Sequence, residues 1–370
     1  MTATLPLRII HCFRSPTGGV FRHIRDLTRA QLAAGHLVGV ICDSSTGDAH
    51  DERQLNAFAQ TLPLGLHRFP MARGIAPSDL TGVLRTRALL RLTSPEIVHC
   101  HTAKGGVFGR LGGTLLAPLG KKPARFYSPH GGSLHFDPKS LKGRIFFAAE
   151  RALERASDGL IFVCDYERQT YIEKIGSPRC ATRIVYNGLP AAEFEPATTA
   201  TQPADFLFIG MMRDLKGPDL VIEALAELPQ ANAIMVGEGP DRPRYESRVV
   251  ELGLQDRVTF HDSMPAREAF GMARCVVVPS RAESFPYIVL EALAAHKPII
   301  AANVGGIGEM LEQPLVAPAN PDALKTQMLA FLQAPPTPDD LADRAQSAKA
   351  RFSVDAMATA IQAVYLEELS

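Results

Sequence analysis

Two glutamates eight residues apart stand out in the stretch SRAESFPYIVLEALAAHKPIIAANVGG, positions 280–306. Glu283 follows an apolar run, and the pattern predicts a helix that begins beside it, with Ser284 as its cap and Pro286 in its first turn. In a regular helix Glu283 and Glu291 would be about 12 Å apart along one face. A solvated helix face is the plainer interpretation, but the residues around Glu291 are almost wholly apolar, so its carboxylate needs a polar partner. Carboxylates accept hydrogen bonds from vicinal hydroxyls, and the pair could bind one elongated, hydroxyl-rich ligand.

Two cations lie in an earlier loop, FIGMMRDLKGPDL, between an apolar run and a predicted helix. Arg213 and Lys216 suit a diphosphate, because phosphates bind basic side chains and helix N-termini. A solvated basic loop is the common alternative. The next loop, VGEGPDRPRYE, places Glu238 between Gly237 and Gly239, which let the backbone turn against a ligand. We assign all five residues to the binding of a phosphorylated ligand.

The first half of the chain carries weaker signals. Gly18 and Gly19 precede a predicted helix whose amides could cradle a phosphate or a hydroxyl, although a tight turn explains two glycines more simply. His130 lies in SPHGG, where a predicted strand ends and two glycines let another molecule approach. HCHTAKGG carries His101 and Lys104, which we assign to a second substrate. A hydrogen-bonded structural histidine is the alternative at both histidine positions.

Short apolar runs precede these residues, and their alternation with amphipathic segments predicts parallel sheets covered by helices. The predicted strands are LRIIHCF, LVGVIC, IVHCH, ARFYSPH, GLIFVC and TRIVYN in the first half and DFLFIG, NAIMVGEG, RVTFH, CVVVPS and KPIIAAN in the second. Ligands of such sheets bind beyond the carboxyl ends of the strands, so the loops after the strands are the place to look for a site. The pattern predicts an α/β protein with two Rossmann-like domains.

A stretch rich in Pro, Ala and Thr, PAAEFEPATTATQPAD, predicts a break between the two halves. We expect an N-terminal Rossmann-like domain over 1–190, a linker over 191–204, a C-terminal Rossmann-like domain over 205–352 and a last helical segment over 353–370.

Composition narrows the class of protein. The 370 residues include 39 basic and 39 acidic side chains, and this neutral balance argues against nucleic acid as the main partner. No apolar run approaches the roughly 18 residues of a membrane span, and the first residues lack the charged start of a signal peptide. The six cysteines have no paired spacing, which suits buried thiols in a reducing compartment. We therefore expect a cytoplasmic protein.

Taken together, ESFPYIVLEALAA and KPIIAANVGGIGEML resemble the E-x7-E signature of the GT4-type retaining glycosyltransferases, which have the GT-B fold. The Gly-Gly loop, PHGG, VYNGL, GMMRDLKG, GEGP and the final helix extend the resemblance over nearly the whole chain. It implies two Rossmann-like domains with parallel sheets facing across a cleft. The N-terminal domain would bind the acceptor and the C-terminal domain the nucleotide sugar, and the last helix would pack back on the N-terminal domain.

The resemblance also implies roles in donor binding. Glu283 would bind hydroxyls of the donor sugar, and Glu291 would hold the ribose diol of the nucleotide. The amides of Ser284 and Phe285 would support the sugar.

The resemblance also implies which residues act at the leaving group. Lys216 and Arg213 would neutralise the diphosphate, His130 would lie near the reacting side of the sugar, and Gly18 and Gly19 would assist at the phosphate or the acceptor. The chain contains no Asp-x-Asp sequence, so no metal and no other cofactor is expected, and the basic pair would stabilise the leaving group. Retention would then follow from attack by the acceptor on the face that the nucleotide leaves.

The expected partners are a UDP- or GDP-sugar and a glycan or lipid-linked acceptor. The segment KSLKGRIFFAAERALERASDG mixes basic and apolar residues and could contact the inner membrane at its cytoplasmic face, although a helix packed on the sheet explains it equally well. We therefore expect transfer of a hexose-type sugar in bacterial surface polysaccharide or lipopolysaccharide synthesis. The alternatives are a nucleotide-sugar epimerase of GT-B shape and a catalytically degenerate partner subunit.

Overall fold

The computed structural model describes residues 6–47, 49–117, 120 and 122–369 and divides the chain into two compact units. The first unit contains the residues up to Gly188 and those from Val354 onward, and the second runs from Leu189 to Ser353. The first unit is therefore built from two separate stretches of sequence.

Seven parallel strands form the sheet described in the first unit, in the order β3-β2-β1-β4-β5-β6-β7. They are β1 (Arg8–Cys12), β2 (Leu37–Asp43), β3 (Leu66–Phe69), β4 (Ile97–His101), β5 (Ala124–Ser128), β6 (Gly159–Phe162) and β7 (Ala181–Ile184). The central strands β1 and β4 are almost wholly buried, as expected of apolar strands covered on both faces.

Seven α-helices are described in this unit: α1 (Gly18–Ala33), α2 (Ala49–Ala59), α3 (Ser78–Thr93), α4 (Thr102–Thr114), α5 (Leu141–Leu153), α6 (Asp165–Ile175) and, at the end of the chain, α14 (Val354–Leu369). Helix α1 buries Phe21, Ile24 and Leu27, whose regular spacing forms one apolar face. Helix α14 places Met357, Ile361 and other apolar side chains in the core of this unit. The last helix is thus part of the packed interior of the first unit.

Five parallel strands form the sheet described in the second unit, in the order β10-β9-β8-β11-β12. They are β8 (Ala204–Ile209), β9 (Ala233–Val236), β10 (Val258–His261), β11 (Ala273–Val278) and β12 (Ile299–Ala301). The α-helices described here are α7 (Pro218–Ala226), α8 (Arg242–Glu251), α9 (Ala266–Gly271), α10 (Tyr287–Ala294), α11 (Ile307–Met310), α12 (Pro321–Gln333) and α13 (Pro338–Phe352). The prediction of an α/β fold with two parallel-sheet units is confirmed.

The segment 191–204, expected to be a linker, lies within the second unit. The amide of Ala197 donates to the carbonyl of Ala295, and the amide of Ala200 donates to the carbonyl of Gly271. A short 3₁₀ helix over Ala191–Phe194 packs against α13. The composition of this segment lacks the periodicity of a helix or strand and therefore predicts a linker. Its backbone is nevertheless hydrogen-bonded to the second unit, which composition does not report.

None of the six cysteines, all of which are described, forms a disulfide, and five of them are buried. Among the described residues, no helix is long and apolar enough to cross a membrane.

Candidate active site

The clearest cluster of predicted residues lies in the second unit, in the loops that follow β8 and β11. Lys216 Nζ is 2.6 Å from Glu283 Oε1, and Ser280 Oγ donates to the same oxygen at 2.7 Å. The Glu283 side chain is only 9% exposed, whereas that of Lys216 is 29% exposed. Among the described residues, no group donates to Glu283 Oε2, so this oxygen can accept a hydrogen bond from a ligand.

The sequence prediction of a helix that begins beside Glu283 is wrong. Helix α10 begins at Tyr287, with Pro286 at its N-cap position. Phe285 precedes a proline, which disfavours helical geometry, so Glu283 stays in the loop. Glu291 lies inside α10 and is partly exposed, and the separation expected for two residues of one regular helix does not apply.

A glycine loop after β12 supports the Glu283 loop. Gly305 has a φ of +60°, and a Cβ built on it would lie 2.3 Å from the carbonyl oxygen of Glu283. The amide of Gly306 donates to the carbonyl of Ser284 at 2.7 Å. Only glycine fits at position 305. The GG pair in NVGG is the sequence signal from which this close approach of two loops could be predicted.

The loop that carries the basic residues is fixed to the same region. Lys216 ends a 3₁₀ turn over Asp214–Lys216. Arg281 Nη1 donates to the carbonyl of Asp214 at 2.7 Å, and its guanidinium pairs with the carboxylate of Asp219 at 2.9 and 2.5 Å. Sequence reasoning missed this pair, which ties the loop after β8 to the loop after β11. The Arg213 side chain is exposed and remains open to an anionic ligand.

The glycines of the loop after β9 lie against the backbone of the loop after β8. A Cβ on Gly237, whose φ is +139°, would lie 2.0 Å from the carbonyl oxygen of Gly210, and one on Gly239 would lie 2.3 Å from that of Met212. The Met212 amide donates to the carbonyl of Glu238. Glu238 itself is exposed. These glycines let two backbone loops approach each other, and their assignment to ligand binding stays a prediction.

In the first unit, Gly18 and Gly19 begin α1 and are both exposed. Their exposed position is compatible with a ligand at the N-terminus of this helix.

His130 lies in a strained loop directly after β5. It has a φ of +50°, and Gly131 and Gly132 follow with 74° and 27°. The Gly131 amide donates to Glu167 Oε1, and Glu167 Oε2 accepts from the amide of Val163 at 3.0 Å. A left-handed backbone is unfavourable for a histidine, so the buried Glu167 carboxylate holds the loop in place. Sequence reasoning missed this residue.

The two residues that we assigned to an acceptor are already engaged. His101 is fully buried, with Nδ1 3.0 Å from His130 Nε2 and Nε2 3.0 Å from His11 Nδ1. Lys104 Nζ lies 2.8 Å from both carboxylate oxygens of Asp79 and 2.6 Å from the carbonyl oxygen of Gly74. In the structure His101 contacts His130, and Lys104 joins α4 to the start of α3, so the assignment of both residues to an acceptor stays a prediction.

Five histidines gather in this unit, and burial lowers all of their pKa values. The pKa falls to about 4 for His11 and His130, and further below the ordinary value for His23, His99 and His101. The rings are therefore neutral near pH 7. Two triplets, His11–His99–His101 and His23–His101–His130, have nitrogen atoms within 4.8 Å of one another and are the described histidines that could hold a metal.

Two family models together match most of the chain. The one described as Glycosyltransferase Family 4 matches residues 17–193, and the one described as Glycosyl transferases group 1 matches residues 191–348. An uncharacterized glycosyltransferase of Methanocaldococcus jannaschii is 26% identical over 371 residues, which covers 95% of each protein.

Solved structures share the fold. HepE of Anabaena, in complex with UDP and glucose, has a TM-score of 0.79 at 18% identity, with 97% of this chain and 99% of that one covered. The lipopolysaccharide outer core galactosyltransferase WaaB, in its apo form, has a TM-score of 0.71 at 16% identity, with 98% of this chain and 100% of that one covered.

Proposed function

This chain belongs to the GT4-type glycosyltransferases with the GT-B fold, and from that premise we propose that it moves a hexose-type sugar from a nucleotide diphosphate sugar to a hydroxyl of a glycan or lipid-linked acceptor. The observation that carries the proposal is the contact between Lys216 and Glu283 at the ends of β8 and β11. We propose bacterial surface polysaccharide or lipopolysaccharide synthesis as the setting, supported by the likeness to WaaB.

Lys216 and Arg213 are the groups we propose for the diphosphate. The difficult step is the departure of the nucleoside diphosphate while positive charge grows on the anomeric carbon. An ammonium and a guanidinium stabilise the negative charge on the leaving oxygens, which is electrostatic catalysis. Glu283 holds the Lys216 ammonium at 2.6 Å, so the cation is in place before the charge develops.

Glu283 and Glu291 are the groups we propose for hydroxyls. Glu283 Oε1 accepts from two protein donors, and its Oε2 would accept from a hydroxyl of the sugar. Glu291 would bind the ribose diol. We propose that no metal takes part and that the acceptor attacks the face from which the nucleotide leaves, with retention at the anomeric carbon.

Nucleotide binding tests the donor half. Thermal-shift measurements with UDP, GDP, ADP and their common sugars, without metal, would use the wild type, Glu291→Ala and the matched control Glu268→Ala, an exposed glutamate of the same unit. A ligand that binds only the folded state raises the melting temperature by mass action. We expect one nucleoside diphosphate to stabilise the wild type and the control, and to stabilise Glu291→Ala less. A melting temperature unchanged by every nucleotide would contradict the proposal.

A membrane contact is the second part of the proposal, and helix α5 supports it. Leu141 is 74% exposed and Ile145 49% exposed on this helix. Lys142 lies on the same helix, with Nζ 4.8 Å from the centre of the Phe136 ring. Exposed apolar side chains beside basic ones are typical of helices that bind anionic lipid surfaces.

Vesicle sedimentation tests this contact. We expect the wild type to bind vesicles that contain phosphatidylglycerol, less so at high salt, and Leu141→Glu/Ile145→Glu to bind weakly. Leu92→Glu, at an equally exposed leucine of α3, is the control and should bind as the wild type does. Equal binding of all three proteins would remove α5 from the proposal.

A further inference from the structure

A chain of hydrogen bonds leads from the interior of the first unit to His130. Gln31 Oε1 is 2.8 Å from His11 Nε2, His11 Nδ1 is 3.0 Å from His101 Nε2, and His101 Nδ1 is 3.0 Å from His130 Nε2. Gln31, His11 and His101 are buried, whereas His130 is partly exposed. Each of the first two histidines thus uses both ring nitrogens, and the series ends at His130 Nδ1.

A neutral imidazole has one nitrogen that donates and one that accepts. If the group at one end of such a series can only accept, it therefore determines which ring nitrogen carries the proton in every histidine of the series. The carbonyl oxygen of Gln31 can only accept, and His11 must therefore carry its proton on Nε2. His11 Nδ1 then accepts from His101 Nε2–H, and His101 Nδ1 accepts from His130 Nε2–H. His130 Nδ1 is left with a bare lone pair.

The Gln31 side chain also lies near Tyr365 of α14, and both residues line the same cavity. Burial raises the pKa of the Tyr365 phenol, and Gln31 opposes this shift to a smaller extent. The orientation of the Gln31 amide rests on the 2.8 Å distance between its Oε1 and His11 Nε2.

A second series starts at the same tyrosine. The Tyr365 hydroxyl is 2.7 Å from His99 Nδ1, and His99 Nε2 is 2.9 Å from Ser128 Oγ. A Tyr365 hydroxyl that donates to His99 Nδ1 leaves the proton of this histidine on Nε2, where it can donate to Ser128 Oγ. The directions in the two series are therefore compatible with each other.

A metal on the same histidines is the competing explanation. It would need the lone pairs that the hydrogen bonds use, because both nitrogens of His101 already lie 3.0 Å from another ring nitrogen. A separation of about 3.0 Å is the ordinary length of a hydrogen bond to nitrogen. The hydrogen-bonded series accounts for every ring nitrogen of His11, His99 and His101, and a metal does not.

We propose that Gln31, acting through His11 and His101, holds His130 in the tautomer that carries its proton on Nε2 and presents Nδ1 as a hydrogen-bond acceptor. Gln31, His11 and His101 are positioning residues. The role of His130 in sugar transfer rests on the proposed function: its Nδ1 would accept a hydrogen bond from a substrate hydroxyl, where a protonated nitrogen would donate one. The tautomer itself does not depend on that function.

Nitrogen NMR of the full chain, labelled with ¹⁵N only in histidine, tests the proposal near pH 7. Long-range proton–nitrogen spectra show which ring nitrogen carries the proton, and His130→Asn assigns the ring. We expect the ratio of the Nε2–H to the Nδ1–H tautomer at His130 to exceed that of free histidine by about fivefold, which corresponds to the net contribution of one hydrogen bond. A proton on Nδ1 in the wild type would overturn the inference, as would stoichiometric zinc or iron in the purified protein.

Variants of Gln31 test the cause. Gln31→Glu keeps an oxygen that accepts from His11, and the preference should remain. Gln31→Met keeps the shape but loses the acceptor, and the ratio should fall towards that of free histidine. The matched control is Gln362→Met. It is the same substitution in the cavity that Gln31 also lines, at a residue that faces His36. A preference unchanged in Gln31→Met would overturn the role of Gln31.

Kinetics separate this inference from the proposed function. With a nucleotide sugar that the wild type uses, Gln31→Met should lower kcat while the KM for the donor changes little, and Gln31→Glu should restore kcat. Low kcat in both variants would show a merely structural role. If the wild type transfers no sugar, the proposed function fails, but the NMR result still decides the tautomer.

Discussion

The contact between Lys216 and Glu283 depends on residues other than these two. Each follows a different strand, and the Arg281–Asp219 pair and Gly305 bring their loops together. The types of the two side chains indicated phosphate and hydroxyl binding. Their contact could not be predicted, because it depends on the pairing of β8 with β11, two strands that are far apart in the sequence but adjacent in the sheet.

Replacing Lys216 tests its role at the leaving group. We expect Lys216→Met to lower kcat about 10²- to 10³-fold, because the charge on the diphosphate loses a positioned cation. The free energy of unfolding should fall by only about 1 kcal/mol, since Ser280 still donates to Glu283. Lys325→Met, which removes a salt bridge to Glu227 at the surface of the same unit, is the control and should keep kcat. A kcat within a factor of two of the wild type for Lys216→Met would exclude the role.

The backbone of His130 gives a prediction about stability. Both His130→Ala and His130→Gly remove the ring, but glycine accepts a φ of +50° and alanine does not. We therefore expect His130→Gly to be more stable than His130→Ala by about 1 kcal/mol in urea unfolding. The reverse order would mean that the loop does not keep this backbone geometry in solution.

At the scale of elements, the loop after β12 is a sharp test of the site. Gly305→Ala places a Cβ 2.3 Å from the Glu283 carbonyl oxygen at a φ of +60°, so the loop must move and Glu283 with it. We expect a melting temperature several degrees lower and a loss of nucleotide-induced stabilisation. Gly308→Ala, three residues later in α11, meets only ordinary contacts and should resemble the wild type. Equal nucleotide stabilisation of both variants would contradict the structure of the loop.

Most strands could be predicted from the sequence, and the exceptions have physical reasons. The sequence does not indicate strand β3, LHRF, because it is a short edge strand with three of its four residues only partly buried, so it has no apolar run. The sequence pattern places the start of α10 too early, because Ser284 has the composition of a cap, whereas Pro286 disfavours helical geometry at Phe285. Local patterns predict which elements exist more reliably than where they begin.

At the scale of the whole molecule, the buried histidines predict sensitivity to acid. The pKa values of His11 and His130 are about 4 in the folded chain, against 6.5 for an ordinary histidine. Between these values the unfolded chain binds protons that the folded chain does not, so the free energy of unfolding should fall as the pH drops from about 6.5 to 4. Urea unfolding across this range measures the slope. His23→Leu removes one of the buried rings and should flatten it, and an unchanged slope would argue against the low pKa values.

The sequence indicated two Rossmann-like units, but their exact limits depend on contacts between distant residues. Leu189 forms a parallel bridge with Ser353, and its amide donates to the carbonyl of Phe352. Neither local composition nor periodicity reports a pairing between positions so far apart in the sequence. Composition could therefore show that a break exists near residue 190, but not that both ends of the second unit meet there.

This pairing has a consequence for synthesis on the ribosome. The second unit is one continuous stretch whose two ends are hydrogen-bonded to each other, so it can fold as soon as residue 353 has emerged. The first unit begins earlier but still lacks α14, which supplies Met357, Ile361 and Tyr365 to its core. The part of the chain that is translated first is therefore the last to be completed, and a nascent chain would need to keep the apolar surface that α14 covers from aggregating until that helix is available.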